Sequence, residues 1–425
     1  MKKYDSYKDS GIEWLKEIPI GWNLARMRYV CDISTGDKDT INKEENGNYP
    51  FYVRSKNIER ISTYTYDEEA ILTPGDGDIC KIWHYINGKF ECHQRVYKLT
   101  KFSEVTGKFL YYFLMQNFEN EVFKLSAKST VDSLRRPMFQ NFPIAFGTIE
   151  EQNKITFFLD NKISQIDHLV AKKEQFIQLL EEERVAVINQ AVTKGLDPNV
   201  ELNDSGIELL GGIPKHWEVK KLKQIFNSSK GLTITKENLE SEGIPCVNYG
   251  EIHSKFGFEV DIDKHQLKCV NPTYLESDYK SLIQTGDFVF ADTSEDVSGA
   301  GNFTYLKSNH EIFAGYHTII LRALVDIESR YFAYQFDSIP YRTQIRQSVK
   351  GIKVFSITQA ILKNTSLWIP PLEEQKQIIQ FLDIETDRIV SLKNSARKEI
   401  ELLKEYKTAL ISEVVTGKVD VRELL

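Results

Sequence analysis

The 425-residue sequence is poor in several features that mark large classes of protein. Its five cysteines, Cys31, Cys80, Cys92, Cys246 and Cys269, form an odd and scattered set without a CxxC pair. That set argues against a disulfide framework and fits a reducing compartment. No apolar run approaches the ~20 residues that span a bilayer, and residues 1–10 are polar with no signal-peptide core, so a cytoplasmic chain without membrane association is expected. Positive charge is not in excess either: 54 Lys and Arg stand against 61 Asp and Glu, for a net charge of −7. The surface as a whole is therefore no magnet for a polyanion, and any nucleic-acid contact has to come from local concentrations of basic residues.

Motifs for chemistry are also missing. Asn271, Pro272, Thr273 and Tyr274 echo the Asn-Pro-Pro-Tyr loop of amino-methylating enzymes, but the second proline is replaced and no Gly-rich strand-loop-helix accompanies it. There is no Gly-x-x-x-x-Gly-Lys-Ser/Thr phosphate loop and no nuclease-like set of carboxylates. Cys80, His84, Cys92 and His93 fit no standard zinc spacing and have no counterpart later in the chain, so they read as packing and polar residues. Asp76 and Asp78 read as part of a Gly75–Asp78 turn leading into a strand over Ile79–Trp83. The chain is expected to be non-enzymatic, with no metal and no cofactor of its own.

What is present is a repeat. Asp9-Ser10-Gly11-Ile12-Glu13 recurs as Asp204-Ser205-Gly206-Ile207-Glu208, and the same offset of 195 carries Ile18, Pro19, Trp22 and Pro50 onto Ile213, Pro214, Trp217 and Pro245. Gly77-Asp78 resembles Gly286-Asp287 at an offset of 209. Glu150-Glu151-Gln152 and Phe158-Leu159-Asp160 resemble Glu373-Glu374-Gln375 and Phe381-Leu382-Asp383 at 223. The two units share their beginnings and ends and differ in length between, as two copies of one scaffold with different surface loops would.

With 41% hydrophobic and 27% charged residues the chain is globular rather than disordered. The first part of each unit, from Trp22 to Phe146 and from Trp217 to Ile369, alternates short β-favouring runs with Gly, Asn and Asp, which predicts α+β domains. One helix is expected in each, near Phe109–Phe118 and Tyr331–Phe336. The second part has 4,3 spacing: Leu159, Ile163, Ile166, Val170, Ile177, Leu180, Val187 and Ala191, interrupted by Lys173 and Arg184. Its counterpart is Leu382, Thr386, Ile389, Lys393, Ala396, Ile400, Leu403, Lys407, Leu410 and Val414. A helix of ~40 residues is ~60 Å long and cannot bury such a stripe alone. The two helices are expected to pack on each other as an antiparallel coiled coil, with pseudo-two-fold symmetry, the alternative being that each packs back on its own globular domain.

Basic residues gather before the final stretch of each globular part. Lys124, Lys128, Arg135 and Arg136 surround Ser126, Ser129 and Thr130 with only Asp132 opposing, and Arg342, Arg346, Lys350 and Lys353 fall within 341–353, which holds no acid. Such side chains neutralise phosphates, add hydroxyl hydrogen bonds to them, or in the case of Arg read guanine edges. A solvated basic face is the alternative for either cluster alone, and the recurrence argues against it. Sequence reading is expected where the units differ. One such place is the segment with Arg54, Lys56 and Asn57 against that with Asn248 and Tyr249. Others are the stretch Lys81–Arg95, with Lys81, His84 and Arg95, and the loop Asp292–Asn302, with Thr293 and Ser294.

Over nearly its full length the sequence resembles the specificity subunits of type I restriction-modification systems. The resemblance rests on the Ser-Gly-Ile-Glu and Ile-Pro-x-x-Trp openings at Ser10–Trp22 and Ser205–Trp217, the Pro-Pro-Leu-Glu-Glu-Gln-Lys-x-Ile helix entry at Pro370–Ile378, and the Gly-Asp pairs at Gly77 and Gly286. Gly147 and Thr148 stand where the second unit has Pro370 and Pro371, a departure that leaves the helix expectation intact. The resemblance implies a first target recognition domain at 1–147 and a first spacer helix at 148–201, then a second domain at 202–370 and a second helix at 371–425. Each domain would bind one half of an interrupted double-stranded DNA target, and the helices would set the gap. It further implies two modification subunits, similar to adenine methyltransferases, and restriction subunits. S-adenosylmethionine, ATP and Mg would belong to those partners alone. Two other readings stay open on the residues: a coiled-coil adaptor that binds only proteins, and an enzyme with a methylation or cleavage site of its own.

Overall fold

The computed structural model describes residues 2–122, 133–208, 210–351 and 354–423. The chain divides into two compact units, one made of Met1–Glu174 with Ala396–Leu425 and the other of Gln175–Ser395. Neither unit coincides with one copy of the repeat. Each holds one globular part together with segments of both long helices.

In the first unit a hairpin of Tyr7–Asp9 and Glu17–Pro19 opens the chain, and Asn23–Arg26 pairs with Pro143–Phe146. Between them lies a six-stranded mixed sheet in the order Asp32–Thr35, Val96–Thr100, Tyr66–Pro74, His84–Cys92, Tyr49–Tyr52, Glu59–Ile61. Only Tyr49–Tyr52 and His84–Cys92 run parallel. The expected helix spans Gly107–Val122 and buries Phe109, Phe113 and Phe118 against the sheet's neighbours Ile71 and Leu99.

The second unit repeats this plan with one strand broken. Phe226–Lys230, Thr318–Ala323, Phe288–Ala291 and Phe303–Leu306 form the same succession, while Ile244–Val247 pairs in parallel with the separate strand Ile312–Ala314. The single strand His84–Cys92 thus corresponds to two, and the six-stranded sheet to a five-stranded and a four-stranded one. The expected helix near Tyr331–Phe336 is Ser329–Asp337, followed directly by Ile339–Ser348.

Register shows where the length difference enters. Ile71 and Phe288 occupy the same place, opposite Leu99 and Leu321, so the offset has already risen from 195 to 217 there and reaches 222 on the paired strand. Most of the added length therefore lies between residues 248 and 287. Two expectations fail at this point. Gly77-Asp78 follows the strand Tyr66–Pro74, whereas Gly286-Asp287 precedes Phe288–Ala291, so that dipeptide match joins non-equivalent positions. Nor is Ile79–Trp83 a strand. Cys80 has φ +63°, which breaks extended geometry, and the loop folds on itself as the Trp83 Nε1–H donates to the Cys80 carbonyl at 3.0 Å.

The repeated motifs turn out to hold the helix entries. The first long helix, Ile149–Lys194, has the Thr148 hydroxyl accepting from Glu151 N at 3.3 Å where the second, Leu372–Val415, has Pro371 before its first turn. Trp22 Nε1 donates to Glu151 at 3.1 Å and Trp217 Nε1 to Glu374 at 3.0 Å. Buried Gln152 donates to the Gly147 carbonyl and Gln375 to the Pro370 carbonyl, at 3.0 and 2.9 Å. Further along each helix, Asp160 accepts from Tyr112 and Lys108, and Asp383 from Tyr334 and Arg330.

Both long helices end on a glycine in the left-handed region, Gly195 at φ +72° and Gly417 at φ +71°. A Cβ on Gly417 would meet Pro19 at 2.5 Å, and one on Gly195 would lie 3.5 Å from Trp217. In each unit the Ile-Pro-x-x-Trp motif thus receives the end of one long helix and the entry of the other.

Every seam position named from the 4,3 spacing is buried or half-buried. The helix segments in each unit are antiparallel. In the first unit Lys407 reaches Asp167 at 2.7 Å and Lys173 pairs with Glu399, while in the second Arg388 reaches Glu183 at 2.5 Å and Lys393 pairs with Glu181. The cations that interrupt the seam are therefore partnered across it, except Arg184, which turns to Asp337. Among the described residues no helix is long and apolar enough to cross a membrane.

Candidate nucleic-acid interface

In each unit the loops that leave equivalent strands are fastened together by the same backbone bonds. Gly75 N donates to the Arg95 carbonyl at 2.8 Å and Asp292 N to the His317 carbonyl at 3.0 Å; Leu134 N donates to Gly75 at 2.7 Å and Ile357 N to Asp292 at 2.8 Å. On this common frame the side chains differ. Arg95 in the first unit is replaced by His317 in the second, each exposed just before the strand that follows.

The first unit gathers cations. Arg54 and Arg95 each place a guanidinium nitrogen 3.0 Å from one oxygen of Asp76. Burial alone would raise the Asp76 pKa, but the bonds from Arg54 and Arg95 hold it below the usual carboxylate range. The carboxylate thereby fixes two otherwise mobile arginines at one edge. Lys56, Asn57 and Lys81 are exposed on the adjoining loops, with no ion pair for either lysine among the described residues. Arg135 and Arg136 are exposed as well, and Arg136 donates to the Ile33 carbonyl at 2.5 Å. Lys124, Lys128, Ser129 and Thr130 lie outside the described residues, as does Lys353.

His84 Nε2 lies 3.1 Å from the Ser55 carbonyl, tying the loop with Lys56 to the strand behind it. Burial lowers the His84 pKa from its ordinary 6.5, against the opposing pull of that bond. In mildly alkaline solution the ring is neutral whether the chain is folded or not, so stability is unaffected; as pH falls through 6.5 and below, the unfolded chain takes up the proton first and stability drops. Urea midpoints measured at pH 7.5 and 5.5 should accordingly fall further in the parent protein than in His84→Gln; equal slopes would remove His84 from the account. The neighbouring cysteines are packing groups: Cys80 and Cys92 are buried, and His93 Nδ1 accepts from Arg95 N at 3.0 Å.

The second unit presents a cleft of about 620 Å³ instead, with Tyr249, His253, Thr293, Asp296 and Asn302 among its walls. Thr293 is half-buried, while Asn248 and Ser294 are buried; the Asn248 amide is spent on Glu251 at 2.8 Å. Tyr249 stands edge-on to His317 with ring centres 5.3 Å apart. Arg342 and Arg346, on the helix Ile339–Ser348, reach the same loop: Arg342 donates to Asn302 Oδ1 at 2.7 Å and Arg346 to the Ser298 carbonyl at 2.6 Å. Lys350 is exposed beyond them.

Sequence reasoning overlooked Asp76 as a clamp, and also His253, His317 and Asp337; Asn302 closes the loop Asp292–Asn302 that it had singled out. His317 carried a signal, since it stands at the strand start that Arg95 occupies in the first unit. The two basic clusters are also not full counterparts. Arg136 opens the helix Arg136–Asn141, whose equivalent is Gln359–Asn364.

Two copies of one scaffold that share a frame and differ in the side chains on it define a modular recognition protein. Comparison with known proteins gives the class its content. The model of the family described as Type I restriction modification DNA specificity domain matches residues 19–178 and 214–402. The chain is 23% identical over 423 residues to the type I restriction enzyme MjaVIII specificity subunit of Methanocaldococcus jannaschii, covering 96% of this chain and 95% of that one. It is also 23% identical over 406 residues to the EcoBI specificity subunit of Escherichia coli, covering 88% and 81%.

Among solved structures, a chain from work on complex assembly and conformational transition of the type I R-M system superposes with a TM-score of 0.71 at 14% identity, covering 95% of this chain and 99% of that one. The HsdS subunit from Thermoanaerobacter tengcongensis gives 0.56 at 14% identity, covering 95% and 98%. These two show the fold. The chain belongs to the type I restriction-modification DNA specificity family, and its function is that of a specificity subunit.

Proposed function

We propose that each unit reads one half of an interrupted double-stranded DNA target, the two halves being separated by a distance that the paired long helices set. The observation that carries this reading is the common frame with exchanged side chains, Arg95 on one copy and His317 on the other. A scaffold repeated for packing alone has no need to vary the residues at its loop edge. On this reading Arg54, Arg95, Tyr249 and Thr293 contact base edges, Lys56, Lys81, Arg135, Arg346 and Lys350 meet phosphates, and Arg342 holds Asn302 in place behind the cleft. Asn57, His84, Asn248 and Ser294 shape the loops.

The chain itself performs no bond-making step. Two modification subunits dock on it and supply S-adenosylmethionine chemistry, and restriction subunits supply ATP- and Mg-dependent chemistry. An adaptor that never touches DNA would show no salt-dependent duplex binding. The reading predicts a steep fall of affinity with salt, and a slope shallower by ~0.9 for each phosphate that Lys56→Ala or Lys81→Ala leaves unneutralised, with the preferred sequence unchanged. Unchanged slopes in both variants would place these lysines off the DNA.

A further inference from the structure

A continuous polar chain runs through the second unit from its long-helix segment to the recognition cleft. Arg184 Nη2 lies 3.0 Å from Asp337 Oδ2, and Arg342 Nη2 lies 3.1 Å from Asp337 Oδ1. Arg342 Nη1 then donates to Asn302 Oδ1 at 2.7 Å, the Asn302 amide meets His253 Nδ1 at 2.8 Å, and His253 Nε2 meets the Thr293 carbonyl at 2.8 Å.

Each link has only one workable direction. A carbonyl oxygen can only accept, so His253 carries its proton on Nε2 and leaves Nδ1 as an acceptor. Asn302 must therefore turn its NH2 to His253 and its oxygen to Arg342, which is where a guanidinium can donate. The charged members are largely desolvated: Arg184 is 22% exposed, Asp337 15% and Arg342 13%. Two guanidinium groups thus share one carboxylate, one oxygen each, at the back of a cleft whose wall includes Asn302, His253 and Thr293.

We propose that Arg184 is a positioning residue for sequence reading: by occupying Asp337 Oδ2 it keeps Arg342 extended to Asn302 and so sets the face of the cleft that meets the second half of the target. The inference rests on the DNA-reading function given above. Without Arg184, Asp337 can take Arg342 as a bidentate fork on both oxygens, the geometry such pairs prefer, and Arg342 leaves Asn302. Asn302 is then without the bond that fixes its orientation, and His253 with it.

Among the described residues the first unit shows no such device. Lys407, the seam counterpart of Arg184, is engaged with Asp167 on the neighbouring long helix. At the offset of 222 that relates Lys108 to Arg330, Met115 stands where the second unit has Asp337. Removing the Arg184 guanidinium should therefore act on one half of the target alone.

The test is selection from a library of randomised DNA duplexes by the full chain, read by sequencing, with melting temperature measured alongside. The parent protein should enrich two separated blocks of sequence. Arg184→Met, which keeps the packing stem, should lower discrimination tenfold or more in the block that Arg54→Ala/Arg95→Ala leaves intact, and should leave the other block unchanged. Arg184→Lys should restore most of it. Asn302→Ala should erode the same block, and adding Arg184→Met to it should change little further, because both cut one chain. Should Arg184→Met fail to melt cooperatively, Arg184→Gln is read in its place. Full discrimination in the Arg184 variant, equal erosion of both blocks, or additive effects with Asn302→Ala would overturn the inference. No enrichment by the parent protein would instead remove the DNA-reading function, and the inference with it.

Discussion

Replacing Trp22 or Trp217 by alanine should destabilise the protein by about 3–5 kcal/mol, the range found when a buried large aromatic side chain is removed. Both rings are nearly inaccessible, at 1% and 6% exposure. Trp22 packs edge-on to Tyr4 and Phe109 with centres 6.0 and 6.1 Å away, under the end of the second long helix at Gly417. Trp217 does the same work beneath Gly195, among Ile188, Val192, Ile378 and Leu382. The cost has two parts. A cavity opens where a helix entry and a helix end meet, and Glu151 or Glu374 is deprived of an indole donor. Trp→Phe should be milder, since it refills most of the space and forfeits only the hydrogen bond. Chemical denaturation of the four variants checks this, and a cost below about 1 kcal/mol for Trp→Ala would mean that the repeated motif is not what holds the helices.

The second large effect concerns DNA. Arg54→Ala/Arg95→Ala should weaken binding to the cognate duplex by about a hundredfold or more, at ~1–3 kcal/mol for each well-placed arginine–base contact. The double substitution leaves Asp76 at the edge of the interface without its cations, which adds repulsion of the phosphates. Because Arg54 and Arg95 lie in the first unit, only one block of the target should become less defined. A uniform drop in affinity with both blocks still sharply defined would make them phosphate contacts rather than readers. Competition binding at fixed salt against duplexes altered in either block separates the two results.

Much of this architecture could be read from residue order because the features that specify it are local. The 4,3 spacing of Leu159 through Ala191 and of Leu382 through Val414 gave both long helices and their burial. The recurrence of Glu-Glu-Gln marked the helix entries and that of Ile-Pro-x-x-Trp the openings of the two repeats, but only the structure shows that the tryptophan and the glutamate bond to each other.

Where local signals gave out, the contacts are between residues far apart in the chain. The Gly-Asp pairs at Gly77 and Gly286 looked equivalent until strand register fixed the offset at 217, because a dipeptide carries no register. Ile79–Trp83 has strand-like composition, yet the positive φ at Cys80 sets the loop geometry. Candidate contact residues were legible as charges but not as partners. Both Arg135 and Arg136 are exposed, and nothing in sequence shows that Arg136 is the one bonded to the Ile33 carbonyl. The clamp at Asp76 and the chain through Asp337 depend on residues as far as 22 and 153 positions apart.

The most direct measurement is a methylation map of DNA from cells that express the cognate modification subunit with and without this chain. A protein that reads two half-sites on a duplicated frame predicts that methyl-adenine disappears from one bipartite motif when the chain is removed and returns when it is restored. An unchanged methylation pattern, with the modification subunit present in equal amount, would contradict the account.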